Sequence, residues 1–301
     1  MIWNYKNEYR NEMIQTILSV LGISVIIAIP SSMIALGLKA GRPYLKELFG
    51  KPKLLTKYFL VMFILMPALA LAFYFIDPGH QQVWIAVLVI SISPASPGLI
   101  KGITKLGGDS GLSTAWMITA IFLSFIMIPV NLLIIEQLLN IDVKIGIGAV
   151  IIKLLVMFII PILIGFRICK YRPNYVSFLS EILENISKIA TIVLVICLLI
   201  IAVPMIIQRG IIDFSLILLF IIVSLAITHF IESSDKRHIP MLSYSVILRL
   251  PAPAVVLAGI NGMTEVFAPE ILSFVITGTI VMAAYKKLFY RKENPDLIPS
   301  T

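Results

Sequence analysis

Arg249 is the one charged residue in LRLPAPAVVLAG (248–259). A guanidinium held in hydrocarbon costs about 2.5–3.5 kcal/mol on membrane-insertion scales, so it persists only with partners or with a task. Its planar fork matches a carboxylate or phosphate in bidentate geometry, and that makes anion binding one available chemistry. The other is internal: Pro251 and Pro253 remove two backbone donors, and the guanidinium can hydrogen-bond to the carbonyls they free. Ser243, Tyr244 and Ser245 precede this stretch. A second apolar stretch, SPASPGLIKGI (93–103), groups Ser93 and Ser96 around Pro94 and Pro97, with Ser91 just before it and Lys101 within it. Hydroxyls in such places either meet a substrate or return to the helix carbonyl one turn back. The candidate substrate-binding residues are therefore Arg249, Ser93, Ser96, Ser245 and Lys101, and the helix-breaking positions are Pro94, Pro97, Pro251 and Pro253.

Other polar residues within apolar stretches suit quieter roles. Asp109 opens one such stretch and fits a helix N-terminal cap better than proton transfer. Lys153 has a stem long enough to snorkel to water, and facing a cleft it could meet an anion. Asn131 suits a bond between helices, and His229 is the one histidine inside an apolar stretch, a candidate proton carrier. No catalytic residues are expected. HExxH is absent, GGDSG (107–111) lacks a second aspartate placed to share a proton, and no Ser/His pair stands out. Cation/proton exchange would call for carboxylates inside the broken stretches, and 83–106 and 239–261 contain none.

The elements that must position these residues are membrane helices. Of 301 residues, 59% are hydrophobic and 13% charged, and the mean hydropathy is +1.01. Runs of about 20 apolar residues give nine expected spans: 13–38, 55–76, 83–106, 111–136, 146–168, 186–207, 211–231, 239–261 and 266–287. With the N-terminus outside, eighteen of the 24 Lys and Arg fall on the inner side, as the positive-inside rule requires. The net charge of +8 is thus a matter of orientation, and no nucleic-acid partner is expected. Cys169 and Cys197 support neither a disulfide framework nor a metal cluster. The inner connections 39–54 and 169–185 have room for interfacial helices, for which PYLKELF is suitably mixed.

The two proline breaks occupy matching places. PASPGLIKGI (94–103) and PAPAVVLAGI (251–260) align without gaps and share Pro, Ala, Gly and Ile. Each broken span follows two spans and precedes one, so 13–136 and 186–287 form equivalent blocks around span 146–168, within a single integral membrane domain covering 1–301. Because the first block starts outside and the second inside, the expected fold is an all-α, nine-span membrane protein with an inverted-topology repeat. In that arrangement two broken helices cross and form the site.

SMIALGLKAG (32–41), KPKLLTKYFLVMFILMPALALAF (51–73) and SPASPGLIKGITKLGGDSGLSTAWMI (93–118) together resemble the bile acid:sodium symporter family. The resemblance covers nearly the whole chain, and Pro94, Gly108, Asp109, Leu112 and Ser113 keep the spacing of the family pattern. It implies a panel (spans 1, 5 and 6) and a core that moves against it, with substrate in the cleft between. It also implies sodium ligands, and these mostly fail. The family's Ser-Asn pair falls on Leu99 and Ile100, its threonine on Met117, and its Glu, Gln and Asn on Ser245, Arg249 and Leu250. The glutamine of the second span falls near Val61 or Met62. Ser113 and Ser245 are what remains of an ion site, and sodium, which needs several oxygen ligands, is not favoured. No other metal or cofactor is expected.

The resulting expectation is a secondary transporter of a small organic anion in the plasma or inner membrane, in contact with lipid and without family-type sodium coupling. The alternative is a sodium-coupled symporter with a non-standard site; a membrane enzyme or a cation/proton exchanger ranks lower. Cysteines introduced at Asn140 or Pro78 are expected to react with an impermeant thiol reagent on intact cells, and one at Ser234 is not. The reverse labelling would overturn the orientation.

Overall fold

The computed structural model describes residues 2–39, 42–96, 99–106, 108–139, 147–209, 211–232, 238–250 and 264–289. These residues are almost entirely helical: α1 (Ile2–Lys39), α2 (Arg42–Phe49), α3 (Pro52–Ile76), α4 (Gln81–Ser91), α5 (Leu99–Thr104), α6 (Ser110–Leu139), α7 (Gly148–Tyr171), α8 (Val176–Arg209), α9 (Ile211–Ile231), α10 (Ile239–Ile247) and α11 (Thr264–Phe289). Seven helices, α1, α3, α6, α7, α8, α9 and α11, contain stretches long and apolar enough to cross a membrane. The expected spans 83–106 and 239–261 are not continuous helices. The first is α4, an interruption at 92–98, and α5; the second begins as α10 and stops at Ile247. Residues 97–98 and 251–263 lie outside the described set, and with them Pro97, Pro251 and Pro253.

One expected connection is corrected. Residues 176–185 are not an interfacial segment but the opening turns of α8, which starts ten residues before the expected 186. Those turns are held against α1: Ser180 is buried, Glu184 pairs with Lys39, and Ser187 donates to the Ala28 carbonyl at 2.9 Å. PYLKELF does form a short helix, α2, with Leu48 buried and Phe49 exposed.

α1, α7 and α8 pack as one group. α1 and α7 touch backbone to backbone at Gly37 and Gly165, where a Cβ on Gly37 would lie 2.3 Å from the Ile162 carbonyl oxygen. A Cβ on Gly165 would lie equally close to the Ile34 oxygen. Small residues permit this approach, and dispersion then holds the pair where no hydrophobic drive exists between helices in lipid. A second group is joined by aromatic rings. Phe73 of α3 stacks on Trp84 of α4 at 4.7 Å and meets Phe220 of α9 at 6.3 Å, and Phe220 faces Phe274 of α11 at 6.4 Å. Since His229 also faces Tyr285, α9 and α11 run in the same direction.

In the α3–α4 hairpin Asp77 accepts from Trp84 Nε1 at 3.1 Å and contacts His80 Nδ1 at 3.0 Å. The hydrogen bond from His80 holds the Asp77 carboxyl below the usual carboxylate range.

α3 and α7 share a local irregularity. Each contains a five-residue π turn, Val61–Leu65 and Leu155–Ile159, followed two residues later by a proline, Pro67 and Pro161. In α3 the Met66 amide donates to the Val61 carbonyl, so it no longer serves Met62. The next amide along would be that of Pro67, which has none. Met62 is left with a carbonyl that no helical donor serves.

The glycine contact yields a test. Gly37→Ala and Gly165→Ala must push two backbones apart and should each lower stability by about 1–3 kcal/mol. Gly22→Ala, where a Cβ meets nothing within 4 Å, should be neutral or stabilising by up to about 1 kcal/mol. Thermal unfolding of the purified protein in one detergent checks both signs, and a Gly165→Ala protein as stable as the parent would disprove the contact.

Candidate functional site

The two interruptions meet. α4 ends at Ser91, Ile92 and Ser93 turn out of it, and residues 94–96 pass the end of α10. Ala95 and Arg249 pair as an isolated antiparallel bridge: the Ser96 amide donates to the Leu248 carbonyl at 3.1 Å, and the Leu250 amide donates to the Pro94 carbonyl at 2.8 Å. Backbone groups that leave a helix inside a membrane protein must find partners, and here each break supplies the other's.

Arg249 lies at the centre, 4% exposed. Its Nε donates to the Val246 carbonyl at 2.9 Å, its Nη1 to the Ser93 carbonyl at 2.7 Å, and its Nη2 to the Met62 carbonyl at 3.3 Å. Val246 lies in the last turn of α10, and Ser93 follows the last turn of α4. Both are carbonyl ends of half-helices, where the helix dipole is negative. Met62 contributes the carbonyl left over by the π turn. The guanidinium thus joins three elements far apart in sequence, and among the described residues it has no carboxylate partner.

These acceptors differ from those expected. Pro251 and Pro253 free the carbonyls of residues 247 and 249, whereas Arg249 takes Val246. The reason lies in the crossing: the Leu250 amide, which would serve Val246 in a continued helix, is committed to Pro94.

Two glycines let the crossing close. A Cβ on Gly102 of α5 would stand 2.7 Å from the Tyr244 ring of α10, and one on Gly278 of α11 would stand 3.3 Å from the Ile247 carbonyl oxygen. Beside the first break, Pro94 joins Ile121, Ser124 and Ile128 of α6 and Leu154 and Phe158 of α7 in lining a small apolar crevice. There the break faces the group containing α1, α7 and α8.

The remaining candidates sort by contact. Ser93 lies within the crossing through its carbonyl, while its hydroxyl points back to Val89 O at 3.4 Å. Ser96 enters through its amide. Ser245 is fully buried one turn before Arg249, and its hydroxyl donates to Met241 O at 2.6 Å. Ser113 does the same with Asp109 O at 2.6 Å. The side chain of Lys101 lies outside the described residues, and Lys153 is exposed. Asp109 caps α6, accepting from the Leu112 amide at 2.9 Å. Asn131 is corrected: its amide donates to Met127 O, one turn back in its own helix, rather than across helices.

Three features were not anticipated. The Met62 carbonyl depends on a π turn, although Pro67 was visible. Glu232, 1% exposed, pairs with Lys57 at 3.0 Å and lies 3.7 Å from His238, tying the start of α3 to the end of α9 and the start of α10. Glu270, 2% exposed on α11, is a carboxylate inside an apolar span, itself a sequence signal.

No curated protein matches the chain. The family model for the sodium bile acid symporter family matches residues 26–213, well over half of its length, and this stretch includes α3, the first break and α6. With that match, the apolar helices and the crossed breaks together, the chain belongs to the sodium bile acid symporter family, a family of membrane transporters.

Proposed function

We propose that the protein is a secondary transporter of a small organic anion in which Arg249 replaces the sodium ions of its family. The observation that carries this reading is the guanidinium bonded to Ser93 O, Val246 O and Met62 O. Sodium in such a crossing would neutralise carbonyl ends and a carboxylate; here the positions of its ligands hold Leu99, Ile100 and Met117, and a fixed cation sits among the carbonyls. A guanidinium has five N–H donors. Three go to carbonyls, and the remaining two are the chemistry for an anionic substrate, with the Ser96 hydroxyl and Lys101 as further contacts.

The finer architecture belongs to the same reading. The domain spans 1–301 with nine crossings, α4–α5 and the segment beginning with α10 being the third and eighth. Blocks 13–136 and 186–287 are inverted repeats, the N-terminus is outside, and the C-terminus is in the cytoplasm. The panel comprises α1, α7 and α8, and the core moves against it at the crevice beside Pro94. The chain is not an enzyme.

Two measurements test this. In proteoliposomes, uptake of radiolabelled pyruvate or taurocholate should be unchanged when sodium is replaced by potassium or choline at constant ionic strength. A sodium ion about 5 Å from Arg249 would be repelled by about 3 kcal/mol at an effective dielectric of 20, more than a hundredfold in affinity. Saturable activation by sodium would instead establish sodium-coupled symport. Arg249→Lys should lose at least tenfold in anion affinity and also lose thermal stability, because one ammonium cannot span three carbonyls. Full retention of both would remove Arg249 from the site.

A further inference from the structure

Where α7 gives way to α8, three cations stand beside exposed rings. Arg167 and Lys170 in the last turns of α7 and Arg172 just after it are exposed, as are Tyr171, Tyr175 and Phe178. The Arg167 guanidinium lies 5.3 Å from the centre of the Tyr171 ring, and the Lys170 ammonium lies 5.2 Å from it. An aromatic ring attracts a cation through its quadrupole. Here one ring holds two, so like charges are kept close together.

Nothing acidic offsets them. The chain has no Asp or Glu between Asp142 and Glu181. Glu184 is taken by Lys39, and among the described residues Arg167, Lys170 and Arg172 form no ion pair. Other lysines near helix ends are matched: Lys51 pairs with Glu47 and Lys57 with Glu232. A basic fringe that only sets orientation needs no such fixed arrangement.

The three cations also adjoin surfaces that suit acyl chains. Ile160, Ile164, Arg167 and Tyr171 follow at i, i+4, i+7 and i+11 along one side of α7, and all four are exposed. On α8, Phe178, Ile182, Ile186 and Ile189 share an exposed side in the same way. Both sides belong to helices long and apolar enough to cross a membrane. Followed toward the connection at 172–175, each passes from aliphatic residues to aromatic rings, and the cations stand at the end. Acyl chain, interfacial ring and charged headgroup come in that order in a leaflet.

We propose that this corner binds an anionic phospholipid, its phosphate on Arg167, Lys170 and Arg172 and its acyl chains along the isoleucine sides of α7 and α8. A guanidinium fork takes two phosphate oxygens, and the lysine adds a point charge. Three cations without an acidic partner suit a headgroup with two phosphodiesters, as in cardiolipin, better than one. A headgroup held here ties the end of α7 to the start of α8 and so stabilises the group they form with α1. The corner lies about two and a half turns along α7 from Phe158, which lines the crevice beside Pro94. Its occupancy is therefore measurable whatever the crossing carries.

Delipidated full-length protein in detergent should unfold at a higher temperature when cardiolipin is added, and not when phosphatidylcholine is added. Arg167→Gln combined with Lys170→Gln and Arg172→Gln should unfold near the parent temperature without lipid, because all three side chains are exposed. It should bind cardiolipin about a hundredfold more weakly by native mass spectrometry, from about fivefold per basic residue. Lys286→Gln with Lys287→Gln, an exposed pair at the end of α11, should bind as the parent does. Tyr171→Leu, which keeps the charges and removes the ring, should weaken binding several-fold, whereas Tyr171→Phe should not. Equal stabilisation of the parent by phosphatidylcholine, or by soluble glycerophosphate at the same concentration, would overturn the lipid assignment whatever the variants do. Equal binding by the triple variant and the parent, or an equal loss in the Lys286 and Lys287 variant, would overturn the site.

Discussion

The fold turns on a cation lodged against the carbonyl ends of two half-helices. Ending α4 and α10 face to face brings two negative helix termini together in a low-dielectric interior, a repulsive arrangement unless a positive charge lies between them. Arg249 provides it without a counter-ion among the described residues. Three hydrogen bonds from a charged donor contribute roughly 1.5–3 kcal/mol each, and their sum exceeds the cost of about 2.5–3.5 kcal/mol for placing arginine in the membrane interior. The rest of the crossing follows from that balance. The antiparallel bridge at Ala95 fixes the approach of the two breaks, Gly102 and Gly278 leave room for it, and the π turn in α3 delivers the third carbonyl.

How much of this was legible in the sequence differs by residue. Hydropathy located the long helices, because each buries an apolar face whatever its neighbours are. The break near Pro94 and the isolation of Arg249 were also legible, since proline and charge act locally. What Arg249 touches was not. Met62 is 187 residues away, and its carbonyl is available only through a change of helical register that no residue type announces. The start of α8 was misplaced for a related reason: SFLSEILENIS is too polar to signal a span, and its helix is set by packing on α1. Asn131 was misassigned because a side-chain amide in an apolar helix bonds equally well to its own preceding turn.

The site is composed mostly of backbone. Ser93, Ser96, Pro94, Val246 and Met62 enter through amides and carbonyls, while the hydroxyls of Ser113 and Ser245 are turned to their own helices. Side-chain identity at these positions can therefore drift while the crossing persists. That fits a chain whose match to the family runs across residues 26–213.

The glycine contact between α1 and α7 also sets a timetable. Gly37 and Gly165 are 128 residues apart, so at a synthesis rate of 5–20 residues per second the first helix leaves the ribosome roughly 6–25 s before its partner exists. During that interval the notch at Gly37 has no Gly165 to pack against. Its final azimuth is decided only when α7 arrives and the two notches engage. Biogenesis of this half of the molecule is therefore post-insertional, and a translational pause after α7 would leave α1 already docked, whereas one before it would not.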